Sequence, residues 1–90
     1  MVLVAWKTDT FPKLESVLAL DGNRIEVNYV TGERRIFDVS PYIKGSWFGE
    51  LADPAYFSRV SIDSQFGDTV VWPHGQDLAP HEVYELGVSA

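Results

Sequence analysis

The stretch that decides the fold is Arg24-Ile25-Glu26-Val27-Asn28-Tyr29-Val30, then Thr31-Gly32-Glu33, then Arg34-Arg35-Ile36-Phe37-Asp38-Val39. Its first part alternates, with Ile25, Val27 and Tyr29 on one side and Glu26 and Asn28 on the other. Successive side chains of a strand point to opposite faces, so this period of two marks a half-buried strand. Thr31-Gly32-Glu33 makes a turn, and Arg34 to Val39 a further strand with Phe37 and Val39 on the same side as Arg35. Upstream, the apolar run Val17 to Leu20 leads into Asp21-Gly22. That dipeptide predicts a hairpin, because a type I′ turn needs positive φ at both central residues. The segment from about Leu14 to Val39 therefore reads as a three-stranded antiparallel meander.

Ser40-Pro41 stops the meander. Serine is a good helix N-cap and proline a good first helical residue, so Pro41-Tyr42-Ile43 is expected to start a helical turn that Lys44-Gly45 ends. Ser46 to Leu51 places Trp47, Phe48 and Leu51 at helical spacing, and Asp53-Pro54 repeats the cap-and-proline device before Ala55-Tyr56-Phe57. Val60 to Asp63 and Thr69 to Trp72 read as a second hairpin around Gln65-Phe66-Gly67-Asp68, after which Pro73-His74-Gly75 breaks the pattern. Pro80 opens a last helix through Leu86, Gly87 is its expected C-terminal stop, and Val88-Ser89-Ala90 is expected to fray. Strands outnumber helical segments, and the helices are too short to cross over between parallel strands. The fold class is α+β, a small antiparallel sheet with short helices in the middle and at the C-terminus.

The 90 residues make one domain. Residues 1–13 are read as an N-terminal strand or arm carrying Trp6 and Phe11, 14–86 as the core and 87–90 as a tail. Composition is globular, with 46% apolar and 22% charged residues. There is no cysteine, hence no disulfide, thiolate metal site or cysteine nucleophile. A secreted domain this small usually carries such staples, so a cytoplasmic location is expected. The apolar start from Met1 to Trp6 is broken by Lys7, Thr8 and Asp9, and no run approaches a membrane span.

The formal charge is −6 and unevenly placed. Met1 to Arg59 carries seven Lys and Arg against eight acids, whereas Val60 to Ala90 carries five acids and no Lys or Arg. An acidic surface repels phosphate backbones, so nucleic-acid binding by this chain alone is disfavoured. A basic protein partner would be attracted, although the same charge also serves plain solubility. Arg24, Arg34 and Arg35 form a small basic spot on the meander, read as solvent-facing strand charge.

The ordered set of motifs resembles the bacterial domain family of unknown function numbered 2442. It consists of Asp21-Gly22 before the alternating strand; Thr31-Gly32-Glu33 to Asp38-Val39; Leu51-Ala52-Asp53-Pro54 with Phe57 and Val60; and Val71-Trp72-Pro73-His74-Gly75 with Asp77-Leu78, Pro80 and Tyr84. The resemblance covers about Leu14 to Leu86. It implies a small α+β domain with no established activity. Related chains stand alone, are joined to a helix-turn-helix domain, or are encoded beside a small companion in what resembles a toxin–antitoxin pair. This chain resembles the stand-alone form. His74 stands where the family usually has asparagine, a change that left-handed turn geometry tolerates.

Chemistry-bearing constellations are sparse. His74 and His81, with Asp77 and Glu82, match no compact metal-ligand spacing. Ser58, Ser61 and Ser64 lack a strained elbow or a Gly-x-Ser-x-Gly frame. Asp63 and Asp68 flank a turn, where aspartate is common for backbone reasons. The glycines form no phosphate-binding loop. No catalytic residue, metal or cofactor is therefore expected, and the chain is read as not an enzyme. Trp47, Phe48, Tyr56, Phe57 and Trp72 are dense for a small domain, and they read either as core or as an exposed patch. Trp47 and Phe48 are adjacent, so in a helix they point about 100° apart and one of them is left outside. The candidate partner-binding residues are Trp47, Phe48, Tyr56, Trp72, His74 and Asp77. The expected role is protein interaction or regulation, antitoxin-like, with a basic protein or a second copy as partner and no nucleic acid or membrane. The alternative is a small-ligand sensor with a pocket near Trp47, Phe57 and Trp72.

Overall fold

A computed structural model describes residues 11–90; the expected arm up to residue 10, Trp6 included, lies outside the described residues. Strands β1 (Leu14–Leu20), β2 (Arg24–Tyr29) and β3 (Arg34–Asp38) form the antiparallel meander, with Val17 opposite Val27 and Ile25 opposite Phe37. Ile25, Val27, Tyr29, Phe37 and Val39 are all buried, so the period of two does place one face of the sheet on the core. The first turn departs from expectation. Positive φ falls on Gly22 (78°) and Asn23 (58°) rather than on Asp21 and Gly22, and Leu20 pairs with Arg24 across a three-residue loop. The extra residue also serves the far side of the meander, where the Val39 N–H donates to the Asn23 carbonyl at 2.9 Å.

The residues expected at helix ends behave in three different ways. Ser40 does not cap the 3-10 turn Ser40–Tyr42; its hydroxyl and N–H both donate to the Asp38 carboxylate, at 2.6 and 3.0 Å. Asp53 does cap, accepting from the Ala55 N–H at 3.1 Å ahead of helix α2 (Pro54–Phe57). Gly87, after α3 (Pro80–Leu86), is extended (φ −68°, ψ 143°), not left-handed. It is small because a Cβ there would stand 2.7 Å from the Val83 carbonyl oxygen and 3.1 Å from the Arg35 Cβ.

The residues expected to fray instead form a strand. β6 (Val88–Ser89) pairs antiparallel with β3, giving a four-stranded sheet in the order β1-β2-β3-β6. β4 (Ser61–Ile62) and β5 (Val70–Val71) form a separate two-stranded hairpin. Between the sheets, helix α1 (Gly45–Phe48), a 3-10 turn over Gly49–Ala52 and α2 form a lobe of single helical turns. Leu51, Phe57, Val70, Trp72, Leu78 and Val83 from these later elements join the buried face of the meander in one core. The architecture is α+β. Among the described residues no helix is long and apolar enough to cross a membrane.

Candidate functional site

Helix α1 is one turn long and entered through Gly45, whose φ of +74° a side-chain-bearing residue rarely adopts. On so short a helix the adjacent aromatics diverge. Phe48 packs half-buried against the core, and Trp47 is 54% exposed. The 3-10 turn that follows sends Leu51 into the core and leaves the Glu50 carboxylate at the surface beside His74. Opposite lies the turn Trp72-Pro73-His74-Gly75, closed by the Gly75 N–H donating to the Trp72 carbonyl at 2.9 Å. Gly75 has φ of +101°, and the Trp47 indole lies over the position its Cβ would take, 3.6 Å away.

A buried polar network ties these segments together. The Gln76 side chain is fully buried. Its Nε2 donates to the Trp47 carbonyl at 3.0 Å and to Glu50 Oε1 at 2.9 Å, while its Oε1 accepts from the Tyr56 hydroxyl at 2.7 Å. The Tyr56 oxygen in turn accepts from the His74 N–H at 2.8 Å, and the two rings stack with centroids 5.1 Å apart. His74 Nδ1 meets the Glu50 carboxylate at 2.8 Å. Beneath, Trp72 packs on Phe57 and its indole N–H donates to the Phe57 carbonyl at 2.9 Å. Every polar atom of the Gln76 amide is thus used, which is what makes its burial tolerable.

The bond from His74, and next that from Gln76, holds the Glu50 carboxyl below its ordinary value. A depressed carboxylate adds stability above the normal glutamate range and loses it as pH falls through the folded-state value. At the start of β3, Tyr84 and then Arg35 do the same for Glu33, whose two oxygens accept from the Tyr84 hydroxyl at 2.9 and 2.8 Å.

The sequence-named residues divide into three groups. Trp47 and His74 are exposed neighbours, and Phe48 is the half-buried root of the same helix. Tyr56 (7% exposed) and Trp72 (1%) are buried in the core, where they bond the His74 N–H and the Phe57 carbonyl. Asp77 is exposed but sits elsewhere, lining a depression of about 450 Å³ with Asp63, Phe66 and Asp68. Glu50 and Gln76 were missed. Each is a polar residue in a short turn and reads as solvated, with no sequence signal against that.

Other candidate chemistry is placed as follows. The Asp63 carboxylate accepts from the Phe66 N–H at 2.9 Å, a turn-forming bond. The Ser58 hydroxyl donates to the Ala55 carbonyl at 2.8 Å. Phe57 borders a depression of about 250 Å³ whose other walls are residues 19–23, Ala52, Pro54 and Ser58. Two arginines of the basic spot are paired with glutamates, Arg34 with Glu26 at 3.5 Å and Arg35 with Glu33 at 3.1 Å, while Arg24 donates to the Asp21 carbonyl at 3.0 Å. Among the described residues no three His, Asp or Glu side chains are grouped to hold a metal ion. Phe11 packs on Tyr84, with ring centroids 5.8 Å apart.

No curated protein and no solved structure matches the chain. One family model does match, over residues 14–89, and it spans the meander, the lobe, the hairpin, α3 and β6. The chain therefore belongs to the family described as protein of unknown function (DUF2442).

Proposed function

We propose that this chain is a non-catalytic protein-interaction domain, regulatory in role, whose contact surface is centred on Trp47 and rimmed by His74 and Glu50. The observation that carries the reading is an exposed tryptophan held in place by a buried polar network. Trp47 is 54% exposed, yet its carbonyl is gripped by a fully buried glutamine and its ring rests on Gly75. Large exposed aromatics are the commonest interface anchors, and an anchor already fixed loses less entropy on binding.

Several features support the non-catalytic part. His74 directs Nδ1 to Glu50, as a base would to an orienting carboxylate, but no serine or threonine hydroxyl of the described residues bonds its ring. Catalysis by an activated nucleophile needs that third member. The pairing of Arg34 and Arg35 with glutamates and the net charge of −6 support a protein partner over nucleic acid. The lack of cysteine suits a reducing cytoplasm.

The test is Trp47→Ala in a quantitative pull-down from the native host. The variant should melt at the wild-type temperature, because the ring is mostly outside, and should bind the retained partner about thirtyfold more weakly, the loss typical of a tryptophan anchor. Equal retention by both proteins, or nothing retained by either, overturns the reading.

A further inference from the structure

The two edges of the four-stranded sheet are treated differently. β1 carries a bulge between Leu14 and Ser16, its Leu14 N–H donates to the Gly67 carbonyl at 2.7 Å, and β4 lies against it. A bulge and a covering turn are standard means of blocking an edge. Among the described residues β6 has neither, and it carries no charge and no proline. Val88 is 63% exposed and Leu86, one residue before the turn into β6, is 65% exposed.

The backbone of this edge is set up to accept a strand. The Ala90 N–H donates to the Arg34 carbonyl at 3.1 Å. Hydrogen-bonding direction alternates along an antiparallel strand, so Ser89 turns its N–H and C=O away from β3. Next to it, Leu86 walls a mainly apolar groove of about 320 Å³ with Phe37, Asp38, Pro41 and Tyr42.

Charge selects the occupant. The Leu86 end of the edge is flanked by exposed Glu85, by Asp38 in the groove and by Glu82, which accepts from the Tyr42 hydroxyl at 3.0 Å. His81 and Lys44 are exposed on the neighbouring turns. At the Ala90 end, Arg34 and Arg35 are already paired with Glu26 and Glu33. Residues 60–90 contain no Lys or Arg. Two copies joined through this edge would bring two acidic α3 helices together, which disfavours self-pairing. We propose that the β6 edge and the Leu86 groove bind an extended, basic segment of a protein partner. The segment adds as a fifth strand on Ser89, sets an apolar side chain in the groove, and holds its Lys or Arg residues against Glu85 and Asp38.

The probe is a synthetic peptide of alternating valine and lysine, titrated into the full chain while backbone amide shifts are followed; the control peptide alternates valine and glutamate. The lysine peptide should shift the amides of Val88, Ser89 and Ala90, and the glutamate peptide should not. Leu86→Lys and Glu85→Lys should each weaken lysine-peptide binding about tenfold or more. Both changes are at exposed side chains, and Glu85→Lys, which alters charge alone, decides the matter if Leu86→Lys perturbs the fold. Trp47→Ala should leave this binding unchanged, so failure here and failure of the Trp47 surface are separate results. The proposal falls if neither peptide shifts residues 86–90 at about 1 mM, if the glutamate peptide binds equally well, or if light scattering shows that a second copy occupies the edge.

Discussion

The meander and the lobe solve the same problem by different means. In β1 to β3 the backbone groups pair with one another, and the side chains are left free to alternate between core and solvent. Between Gly45 and Leu78 the elements are one helical turn or two strand residues long, too short to satisfy their own backbone. There, side chains take over. The Trp72 indole serves the Phe57 carbonyl, Gln76 serves the Trp47 carbonyl, Tyr56 serves the His74 N–H, and the Thr69 hydroxyl serves the Leu78 carbonyl. Buried backbone groups must be paired somewhere, so a region with only one short ladder spends its large polar side chains on that task. The exposed patch of Trp47 and His74 sits on the region built this way.

The contrast breaks most readily at Trp72. Trp72→Ala removes a fully buried ring together with the bond to Phe57, and large aromatic truncations of this kind cost about 3–5 kcal/mol. Denaturant unfolding should show the loss, and hydrogen exchange should show it as selective opening of residues 45–78 while β2 and β3 amides remain protected. Should the β2 amides lose protection in step, the two regions are one cooperative unit and the comparison fails.

The same substitution in each region sharpens it. Tyr29, on the sheet, is 1% exposed and its hydroxyl has no hydrogen-bond partner among the described residues. Burial, opposed by Arg35, pushes its phenol from 10.0 up to about 12. As pH rises above 10 the unfolded chain loses this proton first, so stability present below that pH is lost progressively up to about pH 12. The full loss is about 2–3 kcal/mol. Tyr29→Phe should remove Tyr29's share of the alkaline loss, leaving that of Tyr42 and Tyr84, and be neutral or mildly stabilising at pH 7. Tyr56→Phe in the lobe should instead destabilise at pH 7 by about 1–3 kcal/mol, because it leaves Gln76 Oε1 and the His74 N–H unpaired. Urea midpoints measured for both variants across pH 7–12 separate these outcomes.

The smallest effect belongs to Asp53, the one cap of the lobe that was read from the sequence and found. Asp53→Ala should cost about 1 kcal/mol, visible as a shift in melting temperature. A loss of several times that would mean that α2 holds up more of the lobe than its four residues suggest.

How far each region was legible follows from these differences. The buried set Ile25, Val27, Tyr29, Phe37 and Val39 came directly from alternation, and the motif set from Asp21-Gly22 to Tyr84 led to the family that the match over residues 14–89 establishes. The turn at Gly22 was found but misplaced by one residue, since dipeptide preference does not carry the Val39–Asn23 bond that selects the loop. β6 was missed because two residues have no period to detect; Val88 and Ser89 become a strand only because β3 offers Ile36 and Arg35 to pair with. Tyr56 and Trp72 stand out in composition, but composition does not say which side of the surface a ring occupies, and both are buried.

What the sequence determined by itself was whatever repeats over a few residues: the meander, the aspartate cap of α2, the helix from Pro80 to Leu86, and the acidic final third. The tertiary structure decided the rest. Gln76 meets Trp47 across 29 positions, Glu50 across 26 and Tyr56 across 20, and His74 meets Glu50 across 24. Contacts at that separation leave no local pattern, because each partner alone is an ordinary polar or aromatic residue in a turn. Only when the closed chain excludes water from around Gln76 does the pairing of its amide become necessary.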